Sequence, residues 1–133
     1  MEVPTDLADL EHVSGWLDEI WQAHDLPFEI QAQLNTSVEE ILSNVIRHGG
    51  ASQPIQVQVA VRPENISIEI LDRGVPFDPL NQTEPDVNLP LEQRRAGGLG
   101  IFMVKRMMDQ TSYERRQDAN CFTMVKVRTA QPA

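Results

Sequence analysis

Glu40 and Asn44 stand four residues apart in a stretch with helical periodicity, so their side chains stack on one helical edge. A carboxylate there can take a proton from an attacking hydroxyl. The amide oxygen of Asn44 is a hard ligand of the kind Mg²⁺ accepts beside phosphates and water. Arg47 and His48 follow one turn later, and Arg47 can neutralise phosphate charge. Further on, Asp72 ends an apolar run and Gly74 follows in a turn, in the pattern Asp72-x-Gly74-x-Pro76-Phe77-Asp78. An ionised carboxylate only accepts hydrogen bonds, so it can select the exocyclic amine of adenine and reject the guanine carbonyl. Gly74 lets backbone approach a base closely, while Pro76 and Phe77 stiffen the loop and offer an apolar wall.

A third cluster, Gly97, Gly98 and Gly100 with Leu99 and Ile101, opens an amphipathic stretch that has no capping Ser or Asp. Free first-turn amides at a positive helix end attract phosphate oxygens. No Walker lysine and no G-x-G-x-x-G after a strand is present, which excludes those two phosphate-binding folds. Arg95, with Arg94 beside it, is placed to clamp a terminal phosphate, and Thr123, on the expected inward side of the last strand, offers adenine a hydroxyl. Each piece also has an ordinary reading: a solvated helix face, an Asp-x-Gly turn, a hinge, a charged loop. Together they point to nucleotide binding and phosphoryl transfer.

The elements that must position these residues can be read from periodicity. Leu7, Leu10, Val13, Leu17, Ile20 and Trp21 recur at three- and four-residue steps, predicting a helix over about 5–24 with Thr5 or Asp6 as its cap. A second helix is expected over 28–48, its stripe running through Ile30, Leu34, Val38, Ile41, Leu42, Val45 and Ile46. Strict alternation from Ile55 to Arg62, a turn at 63–65 and Ile66, Ile68 and Ile70 predict a hairpin with one buried face. Residues 78–96 are polar, proline-bearing and aperiodic, as in a functional lid. A third helix from about Gly98 and strands over about 111–116 and 121–129, joined by a turn at 117–120, complete the chain. The order predicts a two-layer α/β sandwich, with helices on one face of a mixed, mostly antiparallel sheet.

The chain has 133 residues, enough for one domain with a real core. Its 11 basic and 20 acidic side chains give a net charge of −9, which opposes direct nucleic-acid binding. The one cysteine, Cys121, excludes an intramolecular disulfide and reads as a small buried residue. No apolar run is long enough to span a bilayer and no leader pattern opens the chain, so a cytoplasmic location without membrane contact is expected.

Glu40-x-x-x-Asn44, Asp72-x-Gly74-x-Pro76-Phe77-Asp78, Gly97-Gly98-Leu99-Gly100-Ile101 and Thr123 fall in the order found in the GHKL (histidine-kinase-like) ATPases. Within that superfamily the chain resembles the bacterial anti-sigma-factor serine/threonine kinases from about residue 7 to 128. The resemblance implies a Bergerat ATP-binding fold, often homodimeric, using ATP or ADP with Mg²⁺. It puts the general base at Glu40, the Mg²⁺ ligand at Asn44, the adenine reader at Asp72 and the glycine box at 97–100. It also puts a phosphate-reaching basic residue at Arg47 and the hydroxyl near adenine at Thr123. The implied partners are a sigma factor, held by sequestration, and an anti-sigma-factor antagonist phosphorylated on serine. Two alternatives stay open: an ATP-dependent sequestration module, and the ATPase domain of a larger phosphatase-linked regulator. Two departures stand out: Met1-Glu2-Val3 leaves little room for a strand before the first helix, and His12 replaces an arginine often present there.

Overall fold

A computed structural model describes residues 1–3, 10–48, 54–81 and 98–128. Its elements in chain order are β1 (Glu2–Val3), α1 (Leu10–Ala23), α2 (Phe28–His48), β2 (Ile55–Val61), β3 (Asn65–Asp72), α3 (Gly98–Met107), β4 (Gln110–Arg116) and β5 (Ala119–Val127). A 3-10 turn covers Pro79–Asn81. The strands form one sheet in the order β1-β2-β3-β5-β4, and every pairing is antiparallel. The expected mixed sheet is therefore wholly antiparallel among the described residues. The short segment before the first helix does pair, with Glu2 opposite Gln56 and Val3 opposite Ile55.

Period-two alternation decides which side of the sheet is covered. Ile66, Ile68 and Ile70 of β3 and Phe122 and Met124 of β5 are buried, and they join Ile55 and Val57 of β2 in the core. The helices supply Val13, Leu17 and Trp21, then Leu34, Val38, Ile41, Leu42 and Val45, then Ile101 and Val104. A fully buried side chain of this kind contributes about 1.5–3 kcal/mol relative to exposure, so this layer is the main stabilising term. Trp21, 0 % exposed, also donates its indole N–H to Asn35 Oδ1 (2.8 Å), and Asn35 donates to Asp18 Oδ1 (2.7 Å). That chain ties α1 to α2 without leaving the indole N–H unpaired.

The break between α1 and α2 comes from Asp25, which takes φ 52. Leu26 N–H reaches back to Trp21 O and Asp25 N–H to Gln22 O, both at 3.2 Å, the bond pattern of a Schellman cap. Gln31 N–H then bonds Pro27 O at 3.0 Å, starting α2. The last hairpin is tighter than expected. Arg116 pairs with Ala119, so the turn is only Gln117 and Asp118, with Gln117 at φ 55, and Ala119 and Asn120 already belong to β5. The first residues of the predicted lid, 78–81, are ordered: Asp78 Oδ1 accepts from Leu80 N–H (2.9 Å) and sets up the 3-10 turn. The remainder of the expected lid, together with Arg95 and Gly97 and the Thr5 or Asp6 cap, lies outside the described residues.

Candidate nucleotide site

The buried stripe of α2 is flanked by an edge carrying Ser37, Glu40 and Asn44. Asn44 is only 3 % exposed, which for an amide requires partners. Its Nδ2 donates to Glu40 O (2.8 Å) and to Glu40 Oε2 (2.7 Å). Both amide hydrogens are thus committed to Glu40, which leaves the carbonyl oxygen as the group Asn44 can offer a cation. The Glu40 carboxylate lies against the opening turn of α3, where a β-carbon at position 100 would overlap it. A side chain at 100 would therefore push the Glu40 carboxylate aside, and this contact unites two clusters separated by 60 positions in sequence. An apolar groove of about 250 Å³ continues from there between α2 and α3, lined by Thr36, Glu40, Gly100, Met103, Val104 and Met107. Ile101 of the same turn is buried in the core, which anchors the turn.

Asp72 forms a second corner at the end of β3, 3 % exposed. Its Oδ1 accepts from Gly74 N–H (2.9 Å), closing an Asx turn, and from Asn120 Nδ2 (3.0 Å) across the β3–β5 ladder. Asn120 is the residue that sequence reasoning missed. It also donates to Val75 O (2.8 Å) and accepts from Phe77 N–H (3.3 Å) and the Tyr113 hydroxyl. Arg115 donates to Gly74 O at 2.9 Å, and Arg73 pairs with Asp118 at 2.6 Å on the surface. The loop with Pro76 and Phe77 is thus held by the β4–β5 hairpin. Only strand register brings Asn120 here, 48 positions from Asp72; placing 117–120 in the turn concealed it.

The two corners are bridged by α2 itself. His48 sits with its ring 5.5 Å from that of Phe77, at a 31° tilt. From Glu40 to His48 the helix covers about 12 Å at 1.5 Å per residue. Arg47 is exposed beside His48. Gly98 and Leu99 belong to the first turn of α3.

Thr123 is not at this site. It pairs with Glu69 and Ser112 on the uncovered face of the sheet and lines a shallow hollow there with Gln58, Ser67 and Glu69. Asp72 and Asn120 are three residues from Glu69 and Thr123 along their strands, an odd step, and so face the opposite side. The alternation was read correctly, but its inward parity was reversed; Asn120 holds the position beside Asp72 that Thr123 was expected to take. Cys121 is buried as expected, and that burial pushes its thiol above the usual range.

The donor set fits a nucleotide with Mg²⁺. Among the described residues no three His, Cys, Asp or Glu side chains cluster as a protein-only metal cage. One amide oxygen beside phosphates is a common Mg²⁺ arrangement. Among the described residues, Asp72 keeps one carboxylate oxygen out of the protein's own hydrogen bonds.

Comparison with known proteins finds relatives in sequence and in fold. The chain is 26 % identical over 118 residues to the serine/threonine-protein kinase BtrW of Bordetella bronchiseptica, covering 86 % of this chain and 78 % of that protein. It is 27 % identical over 89 residues to the serine-protein kinase RsbW of Listeria monocytogenes (62 % of this chain) and 29 % over 90 residues to RsbW of Oceanobacillus iheyensis (62 %). It spans 57 % and 56 % of those two proteins. The histidine kinase AdeS of Acinetobacter baumannii shares the fold at a TM-score of 0.56 and 14 % identity, over 75 % of this chain and 48 % of that one. The profile of the histidine kinase-like ATPase domain matches residues 3–126. The chain belongs to the histidine kinase-like ATPase domain family.

Proposed function

We propose that this protein is an ATP-dependent serine/threonine protein kinase that acts as an anti-sigma factor, holding a sigma factor and phosphorylating a serine of its antagonist. The observation that carries the reading is the Glu40 carboxylate, bonded to Asn44 and packed on the opening turn of α3. It brings a proton acceptor to a helix end suited to phosphate. The names of the relatives, all protein kinases acting on serine or serine/threonine, support the same class.

In this reading Asp72 accepts from the adenine amine, Gly74 admits the base, and Pro76, Phe77 and His48 wall the purine. The phosphates lie on the amides of the first turn of α3, with Arg47 and Arg95 supplying positive charge. Asn44 Oδ1 would hold Mg²⁺, which would supply charge neutralisation to the phosphates. Glu40 takes the acceptor serine proton as the serine oxygen bonds to the γ-phosphorus. The bond to the β–γ bridging oxygen breaks and ADP leaves. Positioning and charge neutralisation supply most of the rate, as in phosphoryl transfer generally. The α2–α3 groove gives residues flanking that serine a path to Glu40. The protein acts in the cytoplasm and as a homodimer. Among the described residues no helix is long and apolar enough to cross a membrane.

Incubation with γ-labelled ATP, Mg²⁺ and a candidate antagonist tests the assignment. Label on an antagonist serine is expected. ATP binding without label on any candidate, alongside tight sigma-factor capture, would instead favour the sequestration module.

A further inference from the structure

Asn120 makes four hydrogen bonds with a single amide. Two of its partners leave no freedom in how that amide is turned. Val75 O can only accept and Phe77 N–H can only donate, so the nitrogen must face Val75 O and the oxygen Phe77 N–H. The same orientation turns Nδ2 toward Asp72 Oδ1 at 3.0 Å. Gly74 N–H reaches that oxygen too, at 2.9 Å. Both protein donors therefore converge on Oδ1, and Oδ2 accepts none of the bonds recorded among the described residues. A carboxylate free to rotate would present either oxygen at varying angles. This one is fixed about its last torsion by two donors from different segments of the fold.

We propose that Asn120 is a specificity-positioning residue: by occupying Asp72 Oδ1 it makes Oδ2 the single acceptor that reads the six-position amine of the purine. This rests on the nucleotide-binding reading of the Asp72 corner and adds a residue acting through Asp72, without touching the base. The Tyr113 hydroxyl, bonded to Asn120 Oδ1, supports the same amide orientation from β4. Because Asn120 also ties Val75 and Phe77, a purely architectural role would affect every purine alike, whereas a reading role affects only purines with the amine.

Calorimetric titration in Mg²⁺ with ATP and with purine riboside triphosphate, which lacks the amine, separates the two. Wild-type protein should prefer ATP by about tenfold or more, as expected for a hydrogen bond to a charged group. Asn120→Ala should weaken ATP by about the same factor while changing the amine-free triphosphate less than about twofold, so the preference collapses. Equal losses for both nucleotides would overturn the proposal. Should Asn120→Ala fail to fold, Tyr113→Phe decides, because it removes one orienting contact from a half-buried edge position. A reduced ATP preference supports the role and an unchanged preference overturns it. Wild-type protein that binds both triphosphates equally would refute amine reading while leaving nucleotide binding intact. Binding of neither would overturn both.

Discussion

The Asp72 corner and the Glu40 pole are built by opposite means. At the corner, one carboxylate, one amide, a tyrosine hydroxyl and four loop backbone groups are tied together by contacts from β3, β4 and β5. Little is left to rearrange, so the base recognition proposed there is preorganised, its cost met in folding. At the pole, Glu40 and Asn44 hold each other within one helix, and beyond them lie a glycine turn and an apolar groove. In the proposed function, polar partners for the phosphates there come mainly from the backbone amides of that turn. The corner should therefore govern which nucleotide binds, and the pole what is done with it.

Substitutions can break that division. The largest effect is expected from Glu40→Gln, which should lower phosphoryl transfer by about 10²–10⁴-fold while leaving the ATP dissociation constant within about threefold. A single-turnover assay beside a binding titration reads both, and parallel losses would mean that Glu40 belongs to binding. Asp72→Asn should act the other way, weakening ATP by about 10- to 100-fold with less change in the single-turnover rate at saturation. Unaltered affinity would remove Asp72 from base reading.

Gly100→Ala probes the seam between the two helices. Its new β-carbon meets only the Glu40 carboxylate, the movable end of a long side chain, so impaired transfer is expected with a change of less than about 1 kcal/mol in denaturant unfolding. A retained rate would show that Glu40 can turn aside without loss.

How much of this was legible in the sequence follows the same divide. The pole depends on i, i+4 spacing and a glycine run, both local, so Glu40, Asn44 and Gly100 could be singled out, and the structure brings them together. The three helices and the β2–β3 hairpin were legible for the same reason. The corner depends on cross-strand register, where moving one residue reverses every face. A turn set two residues too long hid Asn120 in it, and the face carrying Thr123 was taken as inward. Val125 and Val127 beside Thr123 made that face look apolar, yet it carries Gln58, Ser67 and Glu69 from the neighbouring strands. Asp72 could still be singled out, because a strand-ending Asp-x-Gly is itself a local signal.

Smaller effects sharpen the picture of the scaffold. Ser37 is 0 % exposed, and among the described residues its hydroxyl has no hydrogen-bond partner. Ser37→Ala should therefore stabilise the fold by about 1 kcal/mol, from relief of an unsatisfied group and better helix propensity. A lower melting temperature would indicate that the hydroxyl does find a partner. Smallest is the effect of Cys121, whose thiol burial pushes up. The folded state then favours the neutral thiol. Its contribution is complete below the unfolded thiol value of about 8.5 and is lost as pH rises through that range. The stability difference between wild type and Cys121→Ala should accordingly shrink above that pH, and a constant difference would contradict the assignment.

The central claim is that a purine nucleotide docks between Asp72 and the opening of α3. Calorimetric titration of the wild-type protein with ATP and with GTP, both with Mg²⁺, tests it most directly. The account predicts saturable binding of one ATP per chain, with GTP weaker by about tenfold or more because its six-position carbonyl faces a carboxylate. No heat with either nucleotide, or equal affinity for both, would contradict it.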